Sequence, residues 1–271
     1  MIHIASRSRA TASILVAVTA LVAFATACAW AAEPGPHPAA AAGPVASGAS
    51  SGDSPDEDSR LMVMGDFNRD GITDIAEATS ATDDNSGPAF LTVSLGNADG
   101  TFKQTASKTL LGHAPRSIVS GDFNGDGIPD VIVGDEDGSL RLFLGDGTGN
   151  MISAGDVAHL DSVVSITVAD FNHDGIPDIA VSDWRASSVT VFLGIGNGSF
   201  RQAWSAPLRM RGTVPHVSAA DFNGDGILDL AVVYDDDEGG TFEVMLGNGK
   251  GTFTDAPELS TVRDPNSHCA T

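Results

Sequence analysis

Downstream of residue 60 the hydrophobic pattern is short-range. Apolar and β-branched residues come in runs such as Ser117-Ile118-Val119-Ser120 and Asp130-Val131-Ile132-Val133. Others alternate with polar residues, as in Leu140-Arg141-Leu142-Phe143-Leu144 and Val189-Thr190-Val191-Phe192-Leu193. Gly, Asn and Asp bound these runs. Segments of this length and composition are too short for helices and predict β-strands joined by tight turns. No helical period appears after the N-terminal segment.

The runs follow one order four times. A short apolar run (A) leads into an acidic loop, a second run (B) leaves it, and an alternating run (C) ends in a Gly-rich turn. A fourth run (D) starts at the Phe or Met that closes that turn. The acidic loop reads GDFNRDGITD from Gly65, GDFNGDGIPD from Gly121, ADFNHDGIPD from Ala169 and ADFNGDGILD from Ala220. The turn reads LGNADGTF from Leu95, LGDGTGNM from Leu144, LGIGNGSF from Leu193 and LGNGKGTF from Leu246. A period of about 50 residues holding four antiparallel strands describes one blade of a propeller. The predicted fold is therefore all-β and β-propeller-like, with four blades of four antiparallel strands at about 61–111, 116–160, 163–206 and 214–260. Four blades form either a small closed ring or an incomplete arc. An arc exposes the apolar faces of blades 1 and 4, and such faces are usually covered by a partner or by self-association.

This loop and turn pair resembles the FG-GAP/VCBS repeats, the family that includes integrin-type propeller blades. Closed propellers run from about four to eight blades; integrin-type ones have seven and this chain has four. The resemblance implies a binding or adhesion module, often appended to larger extracellular proteins.

The acidic loops also have a chemistry of their own. In D-x-N-x-D-G-x-x-D, side-chain oxygens at positions 1, 3, 5 and 9 and the carbonyl at position 7 can converge on one cation, with Gly at position 6 making the bend. The candidate ligands are Asp66, Asn68, Asp70, the Ile72 carbonyl and Asp74 in loop 1. They are Asp122, Asn124, Asp126, the Ile128 carbonyl and Asp130 in loop 2. Loop 3 offers Asp170, Asn172, Asp174, the Ile176 carbonyl and Asp178, and loop 4 offers Asp221, Asn223, Asp225, the Ile227 carbonyl and Asp229. An all-oxygen set suits Ca²⁺ and disfavours Zn²⁺, so up to four Ca²⁺ ions are expected, in a structural role. An EF-hand would need Glu at position 12. Loop 1 has Glu77 there, but the others have Val133, Val181 and Val232, and the flanks are strands. Phe at position 2 and Ile at position 7 are expected to point into the blade and fix the loop.

Composition narrows the function classes. The 271 residues carry 14 Lys+Arg against 36 Asp+Glu, a net charge of −22. That excess of acid argues against nucleic-acid binding. The Asp at positions 1, 5 and 9 of the four loops supply a third of the acidic residues. Two Cys exclude a disulfide-stapled scaffold, and Cys269 reads as a free terminal thiol. No P-loop, Rossmann, HExxH or G-x-S-x-G fingerprint occurs. The seven His form no evident triad, so no catalytic residue is assigned.

Residues 1–31 read as a signal peptide, with Arg7 and Arg9 ahead of an uncharged apolar stretch. Ala25-Thr26-Ala27-Cys28 resembles a bacterial lipobox, with cleavage before Cys28 and lipidation of its thiol. Ala29-Trp30-Ala31 offers ordinary cleavage instead. Either route exports the chain, secreted or lipid-anchored at the surface or in the periplasm of a bacterium. Residues 32–60, rich in Ala, Gly, Pro and Ser, read as a disordered linker, and the propeller occupies 61–271. Three roles remain open: binding an extracellular protein or glycan, acting as a polysaccharide-active propeller enzyme, or serving as a structural partner in a surface complex. Asp235-Asp236-Asp237-Glu238 reads as a solvated loop, and Trp184, in the corresponding loop of blade 3, is the first residue to test for ligand contact.

Overall fold

The computed structural model describes residues 61–80, 87–209, 214–235 and 241–256. The signal segment, Cys28, the linker, Cys269 and most of the 235–238 acidic run lie outside the described residues. Among the described residues there is no helix, and the strands follow the predicted order.

Blade 1 is built from β1 (Leu61–Gly65), β2 (Asp74–Ser80), β3 (Ala89–Gly96) and β4 (Phe102–Leu110). Blade 2 holds β5 (Pro115–Gly121), β6 (Asp130–Asp135), β7 (Ser139–Gly145) and β8 (Met151–His159). Blade 3 holds β9 (Val163–Ala169), β10 (Asp178–Asp183), β11 (Ser188–Gly194) and β12 (Phe200–Pro207). Blade 4 holds β13 (Val214–Ala220), β14 (Asp229–Asp235), β15 (Thr241–Gly247) and β16 (Phe253–Asp255). Each blade is a separate four-stranded sheet in chain order, antiparallel throughout, because hairpin connections this short permit nothing else.

The cores lie between blades. Strand alternation sends one set of side chains to each face of a sheet, and both faces of an inner blade are apolar. Val63, Ala76 and Leu91 of blade 1 meet Ile118, Val131 and Phe143 of blade 2. Ile132, Leu140 and Leu142 of blade 2 meet Ile166, Ile179 and Phe192 of blade 3. Val191 and Leu193 of blade 3 meet Val217, Leu230 and Met245 of blade 4. The first strands line up, β1 on β5, β5 on β9 and β9 on β13. No such packing returns from β13 to β1 among the described residues, so the four sheets form an open arc.

Candidate metal centre

The acidic loops join the first and second strands of each blade, and the Gly-rich turns join the third and fourth. Antiparallel order puts both at the same end. A left-handed backbone makes each loop possible: Gly71, Gly127, Gly175 and Gly226 at position 6 have φ between +78° and +83°. Position 4 is also left-handed, at Arg69 and His173 (φ 61° each), an uncommon conformation for residues with a Cβ.

Within each loop the residues at positions 1, 3 and 5 share one turn. Asp122 accepts hydrogen bonds from the backbone N–H of Asp126 (3.1 Å) and Gly127 (2.8 Å). Asp126 Oδ1 accepts from Ile128 N–H (2.7 Å). Asn124 Oδ1 accepts from Asp126 N–H, and its Nδ2 donates to Asp126 Oδ2 (2.9 Å each). The same bonds recur around Asp66, Asn68 and Asp70. They recur again around Asp170, Asn172 and Asp174 and around Asp221, Asn223 and Asp225. Among the described residues no basic side chain forms an ion pair with these carboxylates. Ile72, Ile128, Ile176 and Ile227 at position 7 lean over the Gly of their own blade's turn, as expected of that position.

Position 9 behaves differently. Asp74, Asp130, Asp178 and Asp229 are fully buried. Asp130 Oδ2 accepts from Phe123 N–H (2.9 Å) and its Oδ1 from Gly145 N–H (3.0 Å). Asp74 bridges Phe67 and Gly96 in the same way, Asp178 bridges Phe171 and Gly194, and Asp229 bridges Phe222 and Gly247. The carboxylate is thus a brace between the acidic loop and the Gly-rich turn. Burial pushes the Asp130 and Asp178 carboxyls up to about 7; their backbone donors oppose this, and the position 1 and 5 carboxylates add to it. Consistent with this, no three Asp, Glu, His or Cys side chains among the described residues already converge on a metal-sized point. The sequence placed positions 1, 3, 5 and 9 around one centre; the structure brings 1, 3 and 5 together and seats 9 beneath them.

The donors still fit an oxygen-seeking dication. A carboxylate has about four acceptor sites, and the two backbone bonds leave Asp130 with acceptor capacity. The side chains at positions 1, 3 and 5 present only oxygen acceptors and one amide, are held by backbone N–H groups, and form no ion pair with a basic side chain among the described residues.

Two features were not read from the sequence. The first is the Gly of each L-G pair, which donates to the brace. The second lies at the opposite end, where Asp135 closes β6 in full burial. Arg141 Nη1 lies 3.1 Å from its Oδ2 as an ion-pair partner and donates to the Leu111 carbonyl, while neither Asp135 oxygen accepts a hydrogen bond among the described residues. In blade 3 the equivalent Asp183 accepts from Asp161 N–H and Ala186 N–H. An Asp ending the second strand in three blades, at Asp135, Asp183 and Asp235, was the available signal.

Burial pushes the Asp135 carboxyl up to about 7, with Arg141 opposing and Asp137, Asp156 and Glu136 reinforcing. The folded state therefore holds this proton more tightly than the unfolded chain. Stability from this group is complete below the ordinary carboxylate range and is lost as pH rises from about 4 to about 7, by on the order of 2–4 kcal/mol. Asp135→Asn is expected to lessen the slope that Asp135 shares with Asp130 and Asp178 in denaturant titrations across this range; an unchanged slope would place the titration elsewhere.

A family model described as an FG-GAP-like repeat matches residues 66–133, 122–181, 175–232 and 221–270. The chain belongs to the FG-GAP-like repeat family. The matches begin at the acidic loops and together span all four blades, which agrees with the four sheets of the structure. FG-GAP-like repeats form propeller-like modules typical of extracellular and surface proteins. A comparison with curated proteins finds no match.

Proposed function

We infer that this FG-GAP-like repeat protein is an exported, calcium-stabilised binding module that engages an extracellular protein or glycan. The observation carrying the calcium reading is the set of position 1 and 5 carboxylates, fixed by backbone N–H groups in four equivalent loops without a basic partner. Mutual repulsion of these acids, sharpened by the buried Asp beneath, is what a divalent cation relieves. Positions 1, 3 and 5 and the carbonyl at 7 hold the ion, with the position 9 carboxylate completing the set through its remaining acceptor capacity. The metal's contribution is charge neutralisation and rigidity at one end of the blades. The opposite end carries variable loops, including the exposed Trp184, and such loops on a rigid scaffold commonly carry recognition. Export rests on the signal-like residues 1–31, whether the chain is released or anchored through Cys28.

Calcium is expected to raise the melting temperature by several degrees. Extracellular calcium modules bind at roughly 10⁻⁴–10⁻³ M, so about 10 mM calcium contributes on the order of 1–3 kcal/mol per site. Identical melting curves in calcium and in chelator would sink the reading. Asp126→Ala should remove one site in a calorimetric titration and leave the others; loss of every site at once would indicate unfolding instead. Ligand class is tested by a glycan array and by capture from extracellular extract, each in calcium and in chelator, with Trp184→Ala as the comparison. Binding that ignores both calcium and Trp184 would remove this assignment of the recognition end.

A further inference from the structure

Consecutive blades are stitched by one repeated contact at the loop end. Gly149 N–H of blade 2 donates to the Phe67 carbonyl of blade 1 (3.2 Å). Gly198 N–H of blade 3 donates to the Phe123 carbonyl (2.9 Å), and Gly251 N–H of blade 4 to the Phe171 carbonyl (3.1 Å). The residue closing each Gly-rich turn then covers the same Phe. Phe200 packs on Phe123 with ring centroids 5.6 Å apart, and Phe253 on Phe171 at 5.5 Å. Met151 shares a core with Phe67.

Each half of this contact is left over at one end of the arc. Phe222, the position 2 Phe of blade 4, is 38% exposed, whereas Phe67, Phe123 and Phe171 are at most 1% exposed. It is the one Phe of the four that departs from the inward orientation expected of position 2, because no further blade covers it among the described residues. Phe102, which closes the turn of blade 1, is 51% exposed, against 5% for Phe253 and 6% for Met151. Gly100, the counterpart of Gly149, donates back to Asn97 of its own turn, and the Phe222 carbonyl has no such donor among the described residues. The flanking surfaces match as well. Met62, Met64 and Ile75 of blade 1 stand where Ile118, Ser120 and Val131 of blade 2 receive the preceding blade. Met62 and Met64 are exposed.

We propose that a second copy of this chain supplies the missing neighbour: the Phe222 end of blade 4 docks head-to-tail on the Phe102 end of the partner's blade 1. This goes beyond the calcium reading and does not depend on it. Each copy has one end of each kind, so the same junction forms twice, and a two-fold axis closes eight blades into one ring. Eight blades lie within the range in which propellers close, and a third copy would exceed it. Continuity with the three junctions already present inside the chain fixes the partner as a copy of itself, because the open halves are those of the repeat.

The test weighs the full chain by light scattering, in a mild non-ionic detergent that holds its apolar residues 10–27 in solution. Wild type is expected at twice the chain mass. Phe102→Glu and Phe222→Glu change exposed side chains, so each should keep a wild-type circular dichroism spectrum and fall to one chain mass. Mixing the two variants leaves one sound junction, so two-chain particles should return in the mixture alone. Wild type at a single chain mass at tens of micromolar overturns the proposal. So do variants that stay dimeric, a mixture that stays monomeric, or a mass that keeps growing with concentration, which marks an open filament.

Discussion

Asp130→Ala is expected to destabilise the folded chain by about 3–5 kcal/mol, read as a fall in the denaturant midpoint at constant slope. The carboxylate sits fully buried between two backbone donors, Phe123 N–H and Gly145 N–H. Truncation leaves both N–H groups unpaired in a site too tight for bulk water, and an unsatisfied buried donor costs about 1–3 kcal/mol. Lost repulsion from Asp122 and Asp126 offsets part of this. Asp130→Asn keeps one acceptor and turns an amide N–H₂ on the other donor, so it should cost roughly half as much. The contrast is Asp122→Ala in chelator. Asp122 accepts three backbone bonds against two at Asp130, but it is not buried, and water replaces it there for about 1 kcal/mol or less. Equal losses at positions 1 and 9 would refute the brace.

Gly145→Ala is expected to cost about 3 kcal/mol or more, or to prevent folding of blade 2. A Cβ at this position would stand 2.5 Å from the Pro129 carbonyl oxygen and 2.7 Å from Ile128 Cγ2. The backbone has little freedom to retreat, since Gly145 N–H is held by Asp130 and the residue pairs with Met151. The obstruction is backbone, so no rotamer change relieves it. Gly175→Ala is the control: its φ is +81° but nothing lies within 4 Å of the added carbon, leaving only the left-handed strain of about 1–2 kcal/mol. If Gly145→Ala proved as mild as Gly175→Ala, the close approach of turn and loop would be wrong.

The two experiments concern one device. The sequence shows an acidic loop and a Gly-rich turn alternating about every 50 residues, and nothing in either motif says that they touch. The antiparallel order of four strands returns the third-to-fourth turn to the end where the first-to-second loop sits. Asp at position 9 and Gly after Leu then become a single hydrogen-bonded unit. Reading Asp130 only as a metal ligand followed from its spacing; its burial follows from the turn that closes over it.

The local pattern determined the strands. Period-two alternation and Asn, Asp and Gly at turns act over a few residues, so β5 to β8 could be drawn from residues 115–159 alone. The same holds for the oxygen-rich loops, whose positions 1, 3 and 5 are brought together by backbone bonds inside the loop. Burial was decided elsewhere. Phe67, Phe123, Phe171 and Phe222 occupy identical motifs, yet three are covered and one is exposed. Asp135 and Asp183 end equivalent strands, yet among the described residues only Asp183 accepts hydrogen bonds from backbone N–H groups, while Asp135 faces Arg141 as an ion pair. A motif specifies which groups a residue offers, whereas water exclusion and pairing depend on the neighbouring blade. In an open arc of four, the two end blades each lack one such neighbour.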